Sequence, residues 1–308
     1  MLNYLDALVP AFGMLALGGL LRRRLLPDVA VWAGIERLVF WVLTPCLLVA
    51  AIAPLKLAEL PLGAMASVIW LALGLGVVLS LGLAWAARTG HPAMTSVLMG
   101  GIRFNQLMGF AVVGALFGPP GLALGAVATG LIVPFVQIIT TTAFALGPNP
   151  AGGRFSAWRL LRQVATNPLV LGCAIGFAVA GLGGLPPGIA PLLRTLGQAS
   201  VALGLLSVGA ALTLDAMRDR LWLQLATAVL KLLVMPGLTL LLGRALGLEP
   251  LPLAIAVAFM ALPTAPTSYV MARAMGGDAP LMAALTSAEH LACALTLPLW
   301  MALALPGQ

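Results

Sequence analysis

The stretch RFNQLMGF, residues 103–110, interrupts an apolar run that enters as AMTSVLMGGI (93–102) and leaves as AVVGALFG (111–118). Arg103, Asn105 and Gln106 stand almost side by side, flanked by Gly100, Gly101 and Gly109. A simple membrane anchor gains nothing from such a polar insertion. What it is for depends on what the rest of the chain can be.

The chain has 308 residues, 61% of them hydrophobic and 8% charged, with a mean hydropathy of +1.09. A soluble domain carries about 25% charged residues, so too little polar surface exists here to cover a water-soluble globule. Apolar stretches of about 17–25 residues, each long enough to cross a bilayer as a helix, recur along the chain. They predict an all-α integral membrane protein with ten helices near 5–21, 32–53, 62–86, 93–117, 121–146, 167–184, 190–214, 221–246, 252–275 and 280–304. The net charge of +7 does not point to nucleic acid, because the positive residues sit at helix ends rather than on one face. Cys46, Cys173 and Cys293 are scattered through apolar runs, so neither a disulfide framework nor a metal site is expected. The cluster Arg22-Arg23-Arg24 follows the first apolar run, whereas a signal peptide carries its charge in front, so the first helix is expected to be retained.

Loop charges predict orientation. Arg22, Arg23, Arg24, Arg88, Arg154, Arg159, Arg162, Arg218, Arg220 and Arg273 follow helices 1, 3, 5, 7 and 9, while Lys56 and Arg244, with Arg194 near the edge, lie on the other side. The arginine-rich side is expected to be cytoplasmic and both termini outside, in a multi-pass protein of the cell membrane surrounded by lipid.

The longest polar connection, around 147–166, divides the ten runs five and five: a first repeat over 1–146, a short cytoplasmic linker, and a second repeat over 167–308. Trp158 marks a short interfacial helix in that linker. With an odd number of crossings in each half, homologous halves form an inverted repeat. A shift of 160 residues sets Pro92 on Pro252, Pro120 on Pro280, and the break at Arg103–Gln106 on Pro263-Thr264-Ala265-Pro266. The correspondence lies in the order of runs, breaks and turns rather than in residue identity. Pro263 and Pro266 lack an N–H and clash with the preceding turn, so the ninth helix must bend or break. Broken backbone at membrane depth survives only where protein or water satisfies it. Asn105, Gln106, Thr264, Thr267 and Ser268 can do so, and matched breaks in two halves point to a transporter's central site. Two unrelated kinks with local polar repair are the rival reading.

Charges inside the runs are few, and each Arg or Lys costs about 2.5–3.5 kcal/mol on insertion scales. Glu36 and Arg37 lie near the start of the second helix and can snorkel; Arg103, Lys231, Glu289 and His290 lie deeper. Three possible cations and one acid favour an anionic substrate. Glu289, His290 and Lys231 are the candidates for coupling, since either member of the Glu289-His290 pair can take and release a proton. Thr44, Pro45 and Gln137 are secondary candidates, Gln137 with the Thr140-Thr141-Thr142 run. No HExxH, GxSxG, P-loop or paired-acid motif occurs, so no catalytic residue, enzyme activity or cofactor is expected.

The second half reads NPLVLGCAIGFAVAGL (167–182), LGQASVALGLLSVGAALTL (196–214), LKLLVMPGLTLLLG (230–243), ALPTAPTSYVMARAMGGD (261–278) and LTLPLW (295–300), and the first contains TPCLL (44–48). In this order the segments resemble the auxin efflux carrier family, which includes plant PIN proteins and bacterial permeases annotated for malonate or malate. The resemblance implies two inverted five-helix repeats, a scaffold of helices 1, 2, 6 and 7, and a transport domain of helices 3–5 and 8–10. It implies that helices four and nine are broken and cross at Asn105 and Pro263, and it makes a homodimer an expectation. Two departures stand out: helix seven has Ala199-Ser200-Val201-Ala202 in place of a proline, and helix ten carries Glu289-His290 where a Ser/Thr-rich pattern is expected. The function expected is alternating-access transport of a small organic anion, a mono- or dicarboxylate. A coupling ion, H+ or Na+, is left open. Two alternatives stand beside it. One is a non-transporting sensor or partner subunit on the same fold. The other is a sodium/bile-acid-like symporter, which needs acidic ligands at the crossover, where no acid is expected near either break.

Overall fold

The computed structural model describes residues 2–56, 62–147, 157–212 and 220–304; among these all regular structure is helical. Helix α1, Leu2–Arg24, ends on three arginines that complement the negative end of its dipole. Helix α2, Val29–Leu38, starts where the Asp28 carboxylate accepts the Ala30 N–H at 2.8 Å. It passes through a π-helical turn, Val39–Leu43, into α3, Thr44–Ile52. The same sequence of elements recurs in α10, Leu221–Val229, a π turn at Leu230–Val234, and α11, Met235–Ala245. In both cases a proline follows at once, Pro45 or Pro236. A proline inside a helix lacks its N–H and presses on the carbonyl four residues back; widening the preceding turn relieves that pressure. Pro236 has no N–H to give the Leu232 carbonyl, and the Trp300 indole N–H donates to that carbonyl at 2.7 Å.

The remaining elements are α4 (Leu62–Ala86), α5 (His91–Ile102), α6 (Gln106–Ala145), α7 (Ala157–Ala165), α8 (Pro168–Gly181), α9 (Ile189–Ala211), α12 (Pro250–Met260), α13 (Thr267–Met275) and α14 (Ala279–Ala304). Helix α6 is not straight. Gly118 adopts φ 59 and ψ −145, and Gly121 abuts the Val113 carbonyl. Eight residues of straight helix would hold those two about 12 Å apart, so the chain folds back at Gly118. The glycine is required there, because a side chain strains at this φ. The predicted runs 93–117 and 121–146 are thus separated by a tight reversal, and the first is itself interrupted at 103–105.

Six helical runs among the described residues are long and apolar enough to cross a membrane: Val29–Ile52, Leu62–Ala86, His91–Ala145, Ile189–Ala211, Leu221–Ala245 and Ala279–Ala304. Pro168–Gly181 and Pro250–Met260 are shorter apolar helices. The run His91–Ala145 would extend about 80 Å if straight, far beyond a bilayer core of about 30 Å; its interruptions at 103–105 and 118 make that length compatible with a membrane. Helix α7 occupies part of the predicted 147–166 linker and exposes Trp158. Arg154, Arg218 and residues 148–156 lie outside the described residues.

The chain forms two compact units. One comprises residues 1–63, 107–133 and 165–211. Its helices approach closely through small residues: Gly18 lies against the Leu206 backbone and Gly209 against the Leu15 carbonyl, so α1 and α9 touch backbone to backbone. Gly172 meets Pro45, Gly176 meets Ile52, and Gly197 meets Leu47, which seats α8 and α9 on α3.

The other unit comprises 64–106, 134–164 and 212–308. Its centre is α12, buried from Pro252 to Leu262, packed with α14 and α11. At one end of this unit, connections that follow α4, α6, α9 and α13 converge. His91 Nε2 lies 3.0 Å from the Ala143 carbonyl, the Asp278 N–H donates to the Pro92 carbonyl at 3.0 Å, and Arg220 pairs with Asp278 at 3.1 Å. Arg244, at the end of α11, instead donates to the Leu303 carbonyl near the far end of α14.

Candidate functional site

Both predicted interruptions are present, and they meet. Helix α5 ends at Ile102 and α6 begins at Gln106; α12 ends at Met260 and α13 begins at Thr267. The Asn105 N–H donates to the Pro263 carbonyl at 2.8 Å, which joins one break to the other through backbone alone.

Breaking a helix orphans backbone groups that must find new partners. Gly100 O would accept from Phe104 N–H in a continuing helix; here it accepts from the Thr264 hydroxyl at 2.9 Å. The Thr264 N–H, freed from its own helix, donates to Glu289 Oε2 at 2.8 Å. The Cys293 thiol lies 3.6 Å from the freed Ala261 carbonyl. Phe104, within the first break, is buried against Phe259 with ring centroids 5.7 Å apart. Helix α14 thus supports both breaks, with Glu289 and Cys293, four residues apart, on the second and His290 on the first.

His290 has an assigned ring state by geometry. Its Nδ1 lies 2.7 Å from the Thr286 carbonyl, which can only accept, so Nδ1 carries hydrogen. Its Nε2 lies 3.1 Å from Asn105 Nδ2 and accepts from that amide. Glu289 and His290 each serve a different break: Glu289 meets Thr264 and His290 meets Asn105. The expectation that no acid lies near either break is corrected, since Glu289 binds Thr264 directly. Position in the sequence concealed this, because α14 is remote from both breaks along the chain.

Lys231 sits in the π turn, fully buried, and among the described residues its ammonium has no hydrogen-bond partner. It is close enough to Glu289 for the two charges to interact. Glu289 Oε1 is likewise buried without a hydrogen bond. Gly100 keeps this region open: a Cβ there would stand 2.8 Å from a Thr227 methyl and 3.4 Å from Glu289 Oε1.

Arg103 reaches across to α13. Its guanidinium donates to Thr267 Oγ1 at 3.3 Å and to the Met271 sulfur at 3.3 Å, and its Nε is buried without a partner. Among the described residues no carboxylate pairs with it. Ser268 is buried beside Thr267 with its hydroxyl unbonded. Gln106 opens α6. Arg103, Asn105, Pro263, Thr264 and Thr267, with Glu289 and His290, therefore form one bonded cluster. The secondary candidates are not in it: Thr44 bonds Ser200 at 2.8 Å, Pro45 packs on Gly172, and Gln137 bonds Thr141 one turn along its own helix.

Gly100 and Cys293 were not singled out by sequence. The available signal for Cys293 was its spacing of four from Glu289, which places both on one helix face.

A family model described as "Membrane transport protein" matches residues 4–301. The chain belongs to the auxin efflux carrier family. This member of the auxin efflux carrier family is accordingly a multi-pass membrane transporter, in keeping with its apolar helices. No individual curated protein matches it.

Proposed function

We propose that this carrier moves a small organic anion, a mono- or dicarboxylate, across the cytoplasmic membrane by alternating access as a secondary active transporter. The observation that carries the reading is Arg103: a guanidinium at the meeting of two helix breaks, bonded among the described residues to a hydroxyl and a thioether. A thioether is a weak acceptor, so this cation keeps capacity for a carboxylate, which it binds in bidentate fashion. Asn105, Gln106, Pro263, Thr264, Thr267 and Ser268 complete the site, and the positive end of α13 opens beside Arg103.

Glu289, His290 and Lys231 are the coupling group. Glu289 at the break is what a sodium-coupled symporter would need, but the neighbouring Lys231 ammonium repels a second cation, which favours H+ as the coupling ion. The paired breaks support halves at 1–146 and 167–308 related as inverted repeats. The convergence of connections after α4, α6, α9 and α13 supports one arginine-rich face, which we assign to the cytoplasm, with the termini outside. A homodimer is part of the same proposal.

The test uses purified protein with acetate, malonate and malate, read by thermal stabilisation and by proteoliposome flux. Wild type is expected to bind and move at least one of them. Arg103→Ala and Asn105→Ala are each expected to weaken binding by about 10–100-fold, the loss of one charged or one well-placed hydrogen bond. Binding by Asn105→Ala equal to wild type for every anion would place the site elsewhere. Binding without flux would favour the sensor reading.

A further inference from the structure

We propose that Met271 is an oxidation site that controls the anion site: a peroxide turns its thioether into a sulfoxide, whose oxygen then occupies Arg103. The inference rests on the anion reading above and assigns a regulator to that same site. Met271 lies one helical turn after Thr267, so both side chains stand on one face of α13. Arg103 spans the two, with Nη2 donating to Thr267 Oγ1 and Nη1 to Met271 Sδ, each at 3.3 Å. Most of the described methionines are buried, while Met14, Met94, Met271 and Met275 are half-buried. Of these half-buried residues, Met271 is the one whose sulfur accepts from a charged donor among the described residues. Its neighbour Thr267 is exposed, so a molecule as small as hydrogen peroxide has an approach to the sulfur.

The oxidant supplies everything the reaction needs. A thioether sulfur keeps a second lone pair beside the one that faces Arg103. That second pair attacks one peroxide oxygen: the S–O bond forms, the O–O bond breaks, and the departing oxygen leaves as water with both peroxide protons. Sulfur gives up two electrons and the peroxide takes them. A thioether is a weak acceptor, whereas the sulfoxide carries a polar oxygen on the same atom. The flexible methionine side chain turns that oxygen onto Nη1 while α13 stays in place. Both Nη atoms then hold oxygen acceptors, Thr267 and the sulfoxide. A carboxylate that binds through two parallel N–H bonds must displace them. The change is reversible, since a sulfoxide reductase removes the oxygen as water while two thiols become a disulfide.

The test treats purified wild type with hydrogen peroxide, locates the added oxygen by peptide mass spectrometry, and measures binding of malonate, malate and acetate by calorimetry. Oxygen is expected on Met271, with anion affinity about tenfold lower, the weight of one hydrogen bond to a charged group. Methionine sulfoxide reductase is expected to restore the affinity. Met271→Leu is expected to bind equally before and after peroxide, which removes the contribution of other methionines. Met271→Gln, with a carbonyl oxygen in place of the sulfoxide, is expected to bind more weakly than Met271→Leu without any peroxide. Peroxide that leaves Met271 unoxidised, or oxidises it without weakening binding, would overturn the proposal and leave the anion site standing. Equal loss of affinity in Met271→Leu would do the same, by placing the sensitive residue elsewhere. Absence of binding by untreated wild type to all three anions would remove the anion reading and this control with it.

Discussion

At the scale of single residues, the polar side chains stranded in apolar runs were legible and their partners were not. Arg103, Asn105, Thr264 and Thr267 stand out in sequence because lipid tolerates none of them without cause. Gly100 and Cys293 do not, because a small residue acquires a role only from what folds against it. Glu289 and His290 look like a pair in sequence, yet neighbours on a helix diverge by about 100°, and they bond to different breaks. Lys231 and Glu289 are instead two buried groups close enough for their charges to interact, with no hydrogen bond between them. Removing one partner of such a pair leaves an uncompensated buried charge, at about 3–5 kcal/mol. Lys231→Met and Glu289→Gln are each expected to lower thermal stability in detergent by that amount. The double variant is expected to lose less than the sum, through the coupling that a double-mutant cycle measures. Additive losses would show that the two charges do not sense each other.

At the scale of elements, prolines foretold the ninth break but not its geometry, and gave no warning of the π turns. A turn of i to i+5 bonds has no compositional mark of its own; only Pro45 and Pro236, one residue beyond α-helical re-entry, hint at Val39–Leu43 and Leu230–Val234. Close contacts were equally hidden, since Gly13 and Gly209 look alike in sequence. A Cβ at Gly13 meets nothing within 4 Å, whereas one at Gly209 runs into the Leu15 carbonyl. Gly13→Ala is therefore expected to be neutral or to stabilise by up to about 1 kcal/mol. Gly209→Ala is expected to force α1 from α9 and cost about 1–3 kcal/mol. Unfolding of the two purified variants checks the contrast, and equal midpoints would refute the packing account.

At the scale of the whole molecule, the all-helical membrane class could be read from hydropathy, because a bilayer demands apolar runs of a set length. The two compact units could not, because α6 contributes residues 107–133 to one and 134–145 to the other, and no composition shift marks that division. The proposed orientation has a direct check in a cysteine-free background. Arg88→Cys and Arg244→Cys, both exposed, are expected to react with impermeant maleimide from opposite faces, Arg88→Cys from the cytoplasm. Labelling of both from one face would reject the loop assignment. The joined breaks carry a last consequence, for motion. Interrupted helices are commonly taken for hinges, yet here the Asn105 and Thr264 amides are each tied to another segment, by Pro263 and Glu289. A hinge must change its dihedral angles freely, and these cannot without severing cross-links in a buried setting. The non-helical segments at 103–105 and 261–266 are then the stiffest part of their unit, carried along as cargo while compliance lies elsewhere. Hydrogen–deuterium exchange is expected to find those two amides among the slowest in the protein, slower than amides at the ends of regular helices.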